Sequence, residues 1–105
     1  MPSLTRFIGV MATSVVSLGA SAQSAAPDPL QVRSWAAACA NCHGTNGVAQ
    51  PGMESLAGKP QADIEKKMLD YKNGRAPATL MHQIAKGYTD EQIAAMAAWF
   101  AAQKK

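Results

Sequence analysis

The sequence predicts an all-α domain of four to five helices. Apolar residues recur at helical spacing in three separate stretches, and glycine and proline cluster between those stretches. No stretch alternates apolar and polar residues as a half-buried strand does, and no internal repeat occurs. The chain has 105 residues, which is room for one domain.

The first helix is predicted from Leu30 to about Asn41. Four of its residues are spaced i, i+3, i+4 and i+7 and therefore lie on one face: Val32, Trp35, Ala36 and Cys39. A long loop is predicted after it, because several residues there interrupt any periodicity: Gly44, Gly47, Pro51 and Gly52.

The second helix is expected to have Pro60 in its first turn, where a missing N–H removes no helical bond. One face of it is predicted from the same spacing: Ile64, Lys67, Met68 and Tyr71. Asp63 and Lys67 are four residues apart, so an ion pair between them is expected. Gly74 is expected at the left-handed position that ends the helix.

Two further helices are predicted near the C-terminus. A short one extends from Thr79 to Lys86. The last one begins after Thr89, because Thr89 and Gln92 fit a capping box, and one face of it is apolar: Ile93, Met96, Ala97 and Phe100. The first and last helices are both rich in alanine, a pattern that suits ordinary amphipathic packing and a close crossing equally. The motif at residues 39–43, described next, favours the crossing, with Trp35 and either Trp99 or Phe100 at the contact.

A Cys-x-x-Cys-His motif occupies residues 39–43 and is the attachment pattern for haem c. The sulfurs of Cys39 and Cys42 would each add to one vinyl group on the same edge of the porphyrin. His43 would then lie beneath the iron and bind it through Nε2. A thioredoxin-type dithiol normally follows a strand, and none is predicted; a structural zinc needs four ligands, and only His82 remains.

The chain offers five candidates for the other axial position: Met53, Met68, Met81, Met96 and His82. Met68 and Met96 lie on helix faces, where methionine usually fills a core. Met53 is close in the chain to the histidine of the motif and is not expected to reach across the ring. Met81 begins a short helix farther along and is the preferred ligand, with His82 as its rival because histidine also binds haem iron.

Three segments are typical of one protein family: CANCHGTNG at residues 39–47, SLAG at 55–58 and ATLMHQIAKGYTD at 78–90. They resemble class I c-type cytochromes, and more narrowly the haem subunit of flavocytochrome c sulfide dehydrogenase and one half of a dihaem cytochrome c4. The resemblance implies a small class I cytochrome c fold around one covalently bound haem. It also implies that Met81 is the distal ligand.

One residue departs from this family. Relatives usually have proline two residues before the leucine of Leu-Ala-Gly, and its carbonyl accepts a hydrogen bond from the proximal histidine. This chain has Glu54 there. The carbonyl of Glu54 can still accept that bond from His43, but the rigidity of proline is lost, and such outer groups orient and tune a metal ligand.

Ligation by histidine and methionine leaves no open iron position and raises the potential, so we expect an electron-transfer protein with no catalytic residue. A haem sensor or enzyme would need a vacant distal site. The resemblance implies the electron-accepting subunit of a flavin-dependent sulfide dehydrogenase, with an FAD flavoprotein as partner. The alternative is a free periplasmic cytochrome that shuttles electrons between several redox proteins.

Four basic residues are expected around the haem edge: Lys59, Lys72, Arg75 and Lys86.

Residues 1–22 are predicted to be a signal peptide. Arg6 precedes an uncharged, mostly apolar stretch, residues 7–20, and Ala20-Ser21-Ala22 suits signal peptidase; a cut after Ala26 is the alternative. The apolar stretch is shorter than the roughly 20 residues of a membrane-spanning helix, so an uncleaved anchor is the weaker interpretation. Export to the periplasm of a Gram-negative bacterium is expected, with residues 23–29 as a flexible lead-in and 30–105 as the cytochrome domain.

Charge excludes one class of partner. The net charge of +3 falls to +2 when Arg6 leaves with the signal peptide. No cluster of lysine and arginine with interleaved aromatic residues occurs, so no nucleic-acid partner is expected.

Overall fold

The computed structural model describes residues 26–105, together with Gly9 and Gly19. Apart from those two glycines, the predicted signal peptide lies outside the described residues. Among the described residues there is no strand, and five α-helices confirm the all-α class. In the same part of the chain, no helix combines the length and the apolar character needed to cross a membrane.

The helices are α1 Pro29–Ala37, α2 Ala40–His43, α3 Gln61–Lys72, α4 Met81–Ala85 and α5 Asp90–Ala101, with a 3₁₀ turn at Thr45–Gly47. Helix α5 packs against both α1 and α3, and α3 also packs against α4. The predicted contact between the first and last helices is therefore present.

Helix α1 begins one residue earlier than predicted. Pro29 occupies a first-turn position, and the carboxylate of Asp28 accepts a hydrogen bond of 2.9 Å from the N–H of Leu30. Asp28 is thus the N-cap, a position where its side chain replaces one missing helical acceptor.

The helix predicted to continue to Asn41 is interrupted after Ala37. The N–H of Ala38 bonds to the carbonyl of Trp35 at 3.3 Å, and the N–H of Cys39 bonds to that of Ala36 at 3.0 Å. These bonds span three residues, as in a 3₁₀ turn, and tighten the backbone between α1 and α2. The Cys-x-x-Cys-His motif consequently lies mostly on a separate short helix.

The end of α3 and the starts of α4 and α5 are set by the backbone angles and capping hydrogen bonds of the residues next to them. Gly74 has φ of 72°, in agreement with its predicted left-handed position after α3. Helix α4 is shorter than predicted because Leu80, with φ of −137°, is not helical. The capping box of α5 is confirmed: Thr89 Oγ1 accepts from the N–H of Gln92 at 3.1 Å, and Gln92 Oε1 accepts from the N–H of Thr89 at 2.9 Å.

The core lies where α1, α3 and α5 meet. One buried cluster contains a residue or two from each helix: Ala36, Ile64, Ala97 and Phe100. All four residues predicted for the apolar face of α5 are buried. Trp99 packs against the cluster, with its ring 5.0 Å from that of Phe100 in an edge-to-face arrangement. Trp35 is half-buried and lies outside the cluster, so the aromatic contribution comes from α5.

The long loop between α2 and α3 folds back on α5 at Gly47. The carbonyl of Gly47 accepts hydrogen bonds from the N–H groups of Leu56 and Ala57, at 2.8 and 3.1 Å. Gly47 has φ of 81°, and a Cβ there would lie 2.8 Å from Cδ1 of Phe100. Only glycine suits both the backbone angle and the close approach. This contact places residues 54–59 on the side of the domain that contains the cavity described in the next subsection.

Candidate haem-binding site

A largely apolar cavity of about 420 Å³ lies between α3, α5 and the long loop. This volume is typical of sites that hold a small molecule or cofactor. Three of the four predicted cofactor-binding residues line it, namely Cys39, His43 and Met81. The fourth, Cys42, is exposed and lies outside the lining.

His43 is held at the end of α2 by a hydrogen bond from its ring. Nδ1 lies 2.6 Å from the carbonyl oxygen of Glu54. Because a carbonyl only accepts, Nδ1 carries the proton, and Nε2 keeps the lone pair that a metal would bind. The bond expected from the sequence is therefore formed with glutamate in place of proline.

The two cysteines are free thiols on either side of the first turn of α2. Cys39 is half-buried beside the cavity. Burial raises the pKa of its thiol, and the neighbouring Cys42 adds to that rise. The carbonyl of Cys39 accepts from the N–H of His43 at 2.8 Å, so α2 fixes the spacing between the first thiol and the imidazole.

Met81 and His82 are neighbours at the start of α4 but have different surroundings. Met81 is half-buried and lines the cavity, whereas His82 does not line it. Nδ1 of His82 is buried and has no hydrogen-bond partner among the described residues. The cavity therefore receives the thioether of Met81 and not the imidazole of His82.

The three other candidate methionines differ in their exposure and in whether they line the cavity. Met53 has 48% of its surface exposed and lies outside the lining. Met96 is buried, as expected of a core residue. Met68 is half-buried, and both Met68 and Met96 line the cavity. The helical spacing of Met68 and Met96 predicted that both would be buried. It could not tell whether they line a cavity or fill a solid core.

The ion pair predicted between Asp63 and Lys67 is wrong. Lys67 Nζ instead lies 2.8 Å from the carboxylate of Glu54, which also accepts a hydrogen bond from Lys59. The bond from Lys59, and then that from Lys67, lower the pKa of Glu54 to about 2. The pair with Lys67 joins residues 13 apart, a tertiary contact that local spacing does not reveal.

Of the four basic residues expected near the haem edge, only Lys59 lines the cavity. Lys72 pairs with Asp90 at 2.7 Å and so links α3 to α5. Arg75 pairs with Asp70 at 3.0 Å, and Lys86 is exposed.

The donors around the cavity suit a haem c. The thiol of Cys39, the imidazole of His43 and Met81 border the cavity, and Cys42 lies three residues after Cys39. Two thiols, an imidazole and a thioether are the groups by which proteins attach and ligate haem c. Much of the wall between them is apolar, including Leu56, Ile64 and Phe100, and would bury the faces of a porphyrin.

Comparison with known families agrees with this geometry. The family model described as "Cytochrome C oxidase, cbb3-type, subunit III" matches residues 32–100. The chain belongs to this family of c-type cytochromes. Membership implies a covalently bound haem c and a role in electron transfer.

Individual relatives cover different shares of this cytochrome. It is 44% identical over 62 residues to the cytochrome subunit of sulfide dehydrogenase from Chlorobaculum tepidum, a match over 59% of this chain and 56% of the relative. It is 35% identical over 81 residues to cytochrome c4 from Pseudomonas aeruginosa, over 76% of this chain and 40% of the relative. It is 34% identical over 70 residues to cytochrome c-554(548) from Halomonas halodenitrificans, over 63% of this chain and 84% of the relative. The cytochrome thus spans about half the length of the first two relatives.

Proposed function

We propose that this cytochrome binds one haem c through Cys39 and Cys42, with His43 and Met81 as axial ligands. The observation that supports this most strongly is the apolar cavity lined by Cys39, His43 and Met81 together. When bound, the haem supplies a centre that accepts and donates one electron at a time. The chain contributes no catalytic residue in this proposal.

The protein's own groups set the properties of the site. The carbonyl of Glu54 holds the proton of His43 at Nδ1 and so presents Nε2 to the iron. Ile93, Met96 and Phe100 line the cavity and are buried, so they give it an apolar wall. Burial and a thioether ligand both favour a raised potential.

The proposed setting is the periplasm of a Gram-negative bacterium, after removal of residues 1–22. Residues 23–29 would then form the lead-in and 30–105 the cytochrome domain. The small-x-small pattern that ends at Ala22 supports the cut. The mature chain would carry no stable membrane insertion.

The proposed partner is the flavoprotein subunit of a sulfide dehydrogenase, which would carry FAD. The likeness to the cytochrome subunit from C. tepidum supports this choice. The surface beside Met81 supports it as well: Leu80 is 53% exposed and Ile84 is 37% exposed. Leu80 directly precedes α4 and Ile84 lies within it, with the N–H of Ile84 bonded to the carbonyl of Leu80 at 3.2 Å. Two exposed apolar residues thus lie within one turn of each other beside Met81. Docking is therefore proposed there and not at the Lys104-Lys105 end.

Electron counting fits this division of roles. Oxidation of sulfide releases two electrons, which a flavin can take as a pair. The cytochrome accepts one electron at a time, so the flavoprotein must deliver them in sequence. An external acceptor must reoxidise the cytochrome between the two deliveries.

Rapid mixing of the reduced flavoprotein from the native source with the oxidised cytochrome tests the proposal. We expect faster reduction than with an unrelated c-type cytochrome at equal driving force. The double variant Leu80→Ser and Ile84→Ser should slow it, whereas Leu30→Ser, which alters a 69% exposed residue on α1, should not. Equal rates for this cytochrome and the unrelated one would favour a free shuttle with several partners.

A further inference from the structure

The carbonyl that holds His43 belongs to an exposed part of the long loop. Glu54 is exposed, and its own N–H donates no backbone hydrogen bond within the described region. Met53, the residue before it, is 48% exposed. The loop on either side of Glu54 is held, since the N–H of Met53 bonds to the carbonyl of Gln50 at 3.1 Å and that of Leu56 to the carbonyl of Gly47 at 2.8 Å. The peptide N–H of Glu54 itself adds no such restraint, although its carbonyl lies 2.6 Å from Nδ1 of His43.

The side chain of the same residue is held at both of its oxygens. Lys59 donates to Oε1 and Lys67 donates to Oε2. Lys59 lies in the loop just before α3, whereas Lys67 lies in the middle of α3. One pair would leave the carboxylate free to rotate, but two pairs from different elements restrain it.

We propose that Glu54 is a positioning residue for His43, and that Lys59 and Lys67 act through it. Restraining the carboxylate limits rotation of the backbone at residue 54, which keeps the carbonyl aimed at Nδ1. That hydrogen bond orients the imidazole and raises the basicity of Nε2. This inference rests on the proposed role of His43 as an iron ligand.

A charge effect at a distance is the competing explanation. Lys59 and Lys67 both line the cavity, so the cluster of one carboxylate and two ammonium groups places a net positive charge beside the site. Charge alone would act on the potential without any effect on the hydrogen bond of His43.

Two variants of the haem-loaded protein separate these explanations. Glu54→Asp keeps the charge but shortens the side chain by one methylene, so the carboxylate cannot reach both lysines in the same way. Glu54→Gln keeps the length and removes the charge. Asp70→Asn is the matched control, because Asp70 also lies between two cations, Lys66 and Arg75, but outside the cavity.

Two readouts are measured, the exchange of the Nδ1 proton of His43 by NMR and the midpoint potential. We expect Glu54→Asp and Glu54→Gln each to speed this exchange about fivefold, a size consistent with the loss of exposed ion pairs. Both should raise the potential, since a weaker bond at Nδ1 leaves Nε2 less basic. Asp70→Asn should change neither value.

Unchanged exchange and potential in Glu54→Asp, with a shifted potential in Glu54→Gln, would overturn the proposal in favour of charge alone. Unchanged values in both variants would remove any role for the side chain. The wild-type protein tests the underlying ligation separately: in the oxidised state, His43 ring resonances with no paramagnetic shift would show that His43 does not bind the iron.

Discussion

Met81 differs from His82 and from Met68 in ways that make the three residues a natural set of variants. Met81 and Met68 are both half-buried methionines that line the cavity, while His82 lies outside its lining. A distal ligand has to reach the iron from the side opposite His43. Only Met81 among them begins a helix directly after an irregular stretch, residues 73–80, where the backbone is free to direct a side chain.

Met81→Ala should abolish the sulfur-to-iron charge-transfer band of the oxidised protein and lower the midpoint potential, because a thioether ligand raises it. Met68→Ala, the matched control, should keep the band. His82→Ala should also leave band and potential nearly unchanged, since within residues 26–105 its Nδ1 has no hydrogen-bond partner to lose. Absorption spectra and potentiometry provide both readouts. Loss of the band in His82→Ala but not in Met81→Ala would show that Met81 is not the distal ligand.

At the scale of elements, the attachment of the long loop to α5 depends on one glycine. Gly47→Ala places a Cβ 2.8 Å from the ring of Phe100 at a φ of 81°. We expect a loss of about 2–4 kcal/mol in the free energy of unfolding, from left-handed strain together with overpacking. Gly74→Ala is the control, because its φ is 72° but no atom lies within 4 Å of its Cβ; it should cost about 1–2 kcal/mol. Equal losses by denaturant unfolding would mean that the close approaches of Gly47 to Phe100 and to the backbone nitrogen of Ala57, 2.9 Å from that Cβ, contribute nothing.

The end of α3 should respond to acid through Asp70. Its carboxylate accepts from Lys66 at 2.6 Å and from Arg75 at 3.0 Å, and these bonds, that of Lys66 first, lower its pKa. Because folding favours the ionised form, the stabilisation is present above the ordinary carboxyl pKa of about 3.9 and is lost as the pH falls through the lowered value. Wild type should therefore unfold at a higher temperature than Asp70→Asn near about pH 6, and the difference should shrink toward about pH 3. A difference that does not change with pH would contradict this account.

Sequence patterns that span a few residues predicted the helices and their ends better than they predicted the contacts between distant parts of the chain. The capping box at Thr89 and the left-handed Gly74 are confirmed because each depends on residues a few positions apart. The division between α1 and α2 was not predicted, since alanine at residue 38 suits either helical geometry. The partner of Lys67 was also wrong, because Glu54 approaches it only after the loop has folded onto α5.

For the candidate site, the motif and the choice of Met81 came from the sequence, and the structure brings three of the four residues to one cavity. The sequence did not indicate which residues form the wall of that cavity. Met68 and Tyr71 follow the same helical spacing as any buried face, yet they border open space, because the size of a cavity is set by how α3 and α5 are spaced and not by either helix alone.

At the scale of the whole molecule, we expect the stability of the domain to depend on a bound haem. A domain of about 80 residues buries little apolar surface and usually needs additional stabilisation. Only nine hydrophobic residues are buried in the described part of the chain, and the cavity lies beside them. A haem that is bound only by the folded chain would add directly to its stability.

Covalent attachment of one haem is tested by the intact mass of the mature protein under denaturing conditions, after expression with a haem-attachment system. Denaturation releases any haem that is held only by its iron ligands, whereas thioether bonds at Cys39 and Cys42 persist. We predict a single species with the mass of the processed chain plus one haem. A species with the mass of the chain alone would contradict the account.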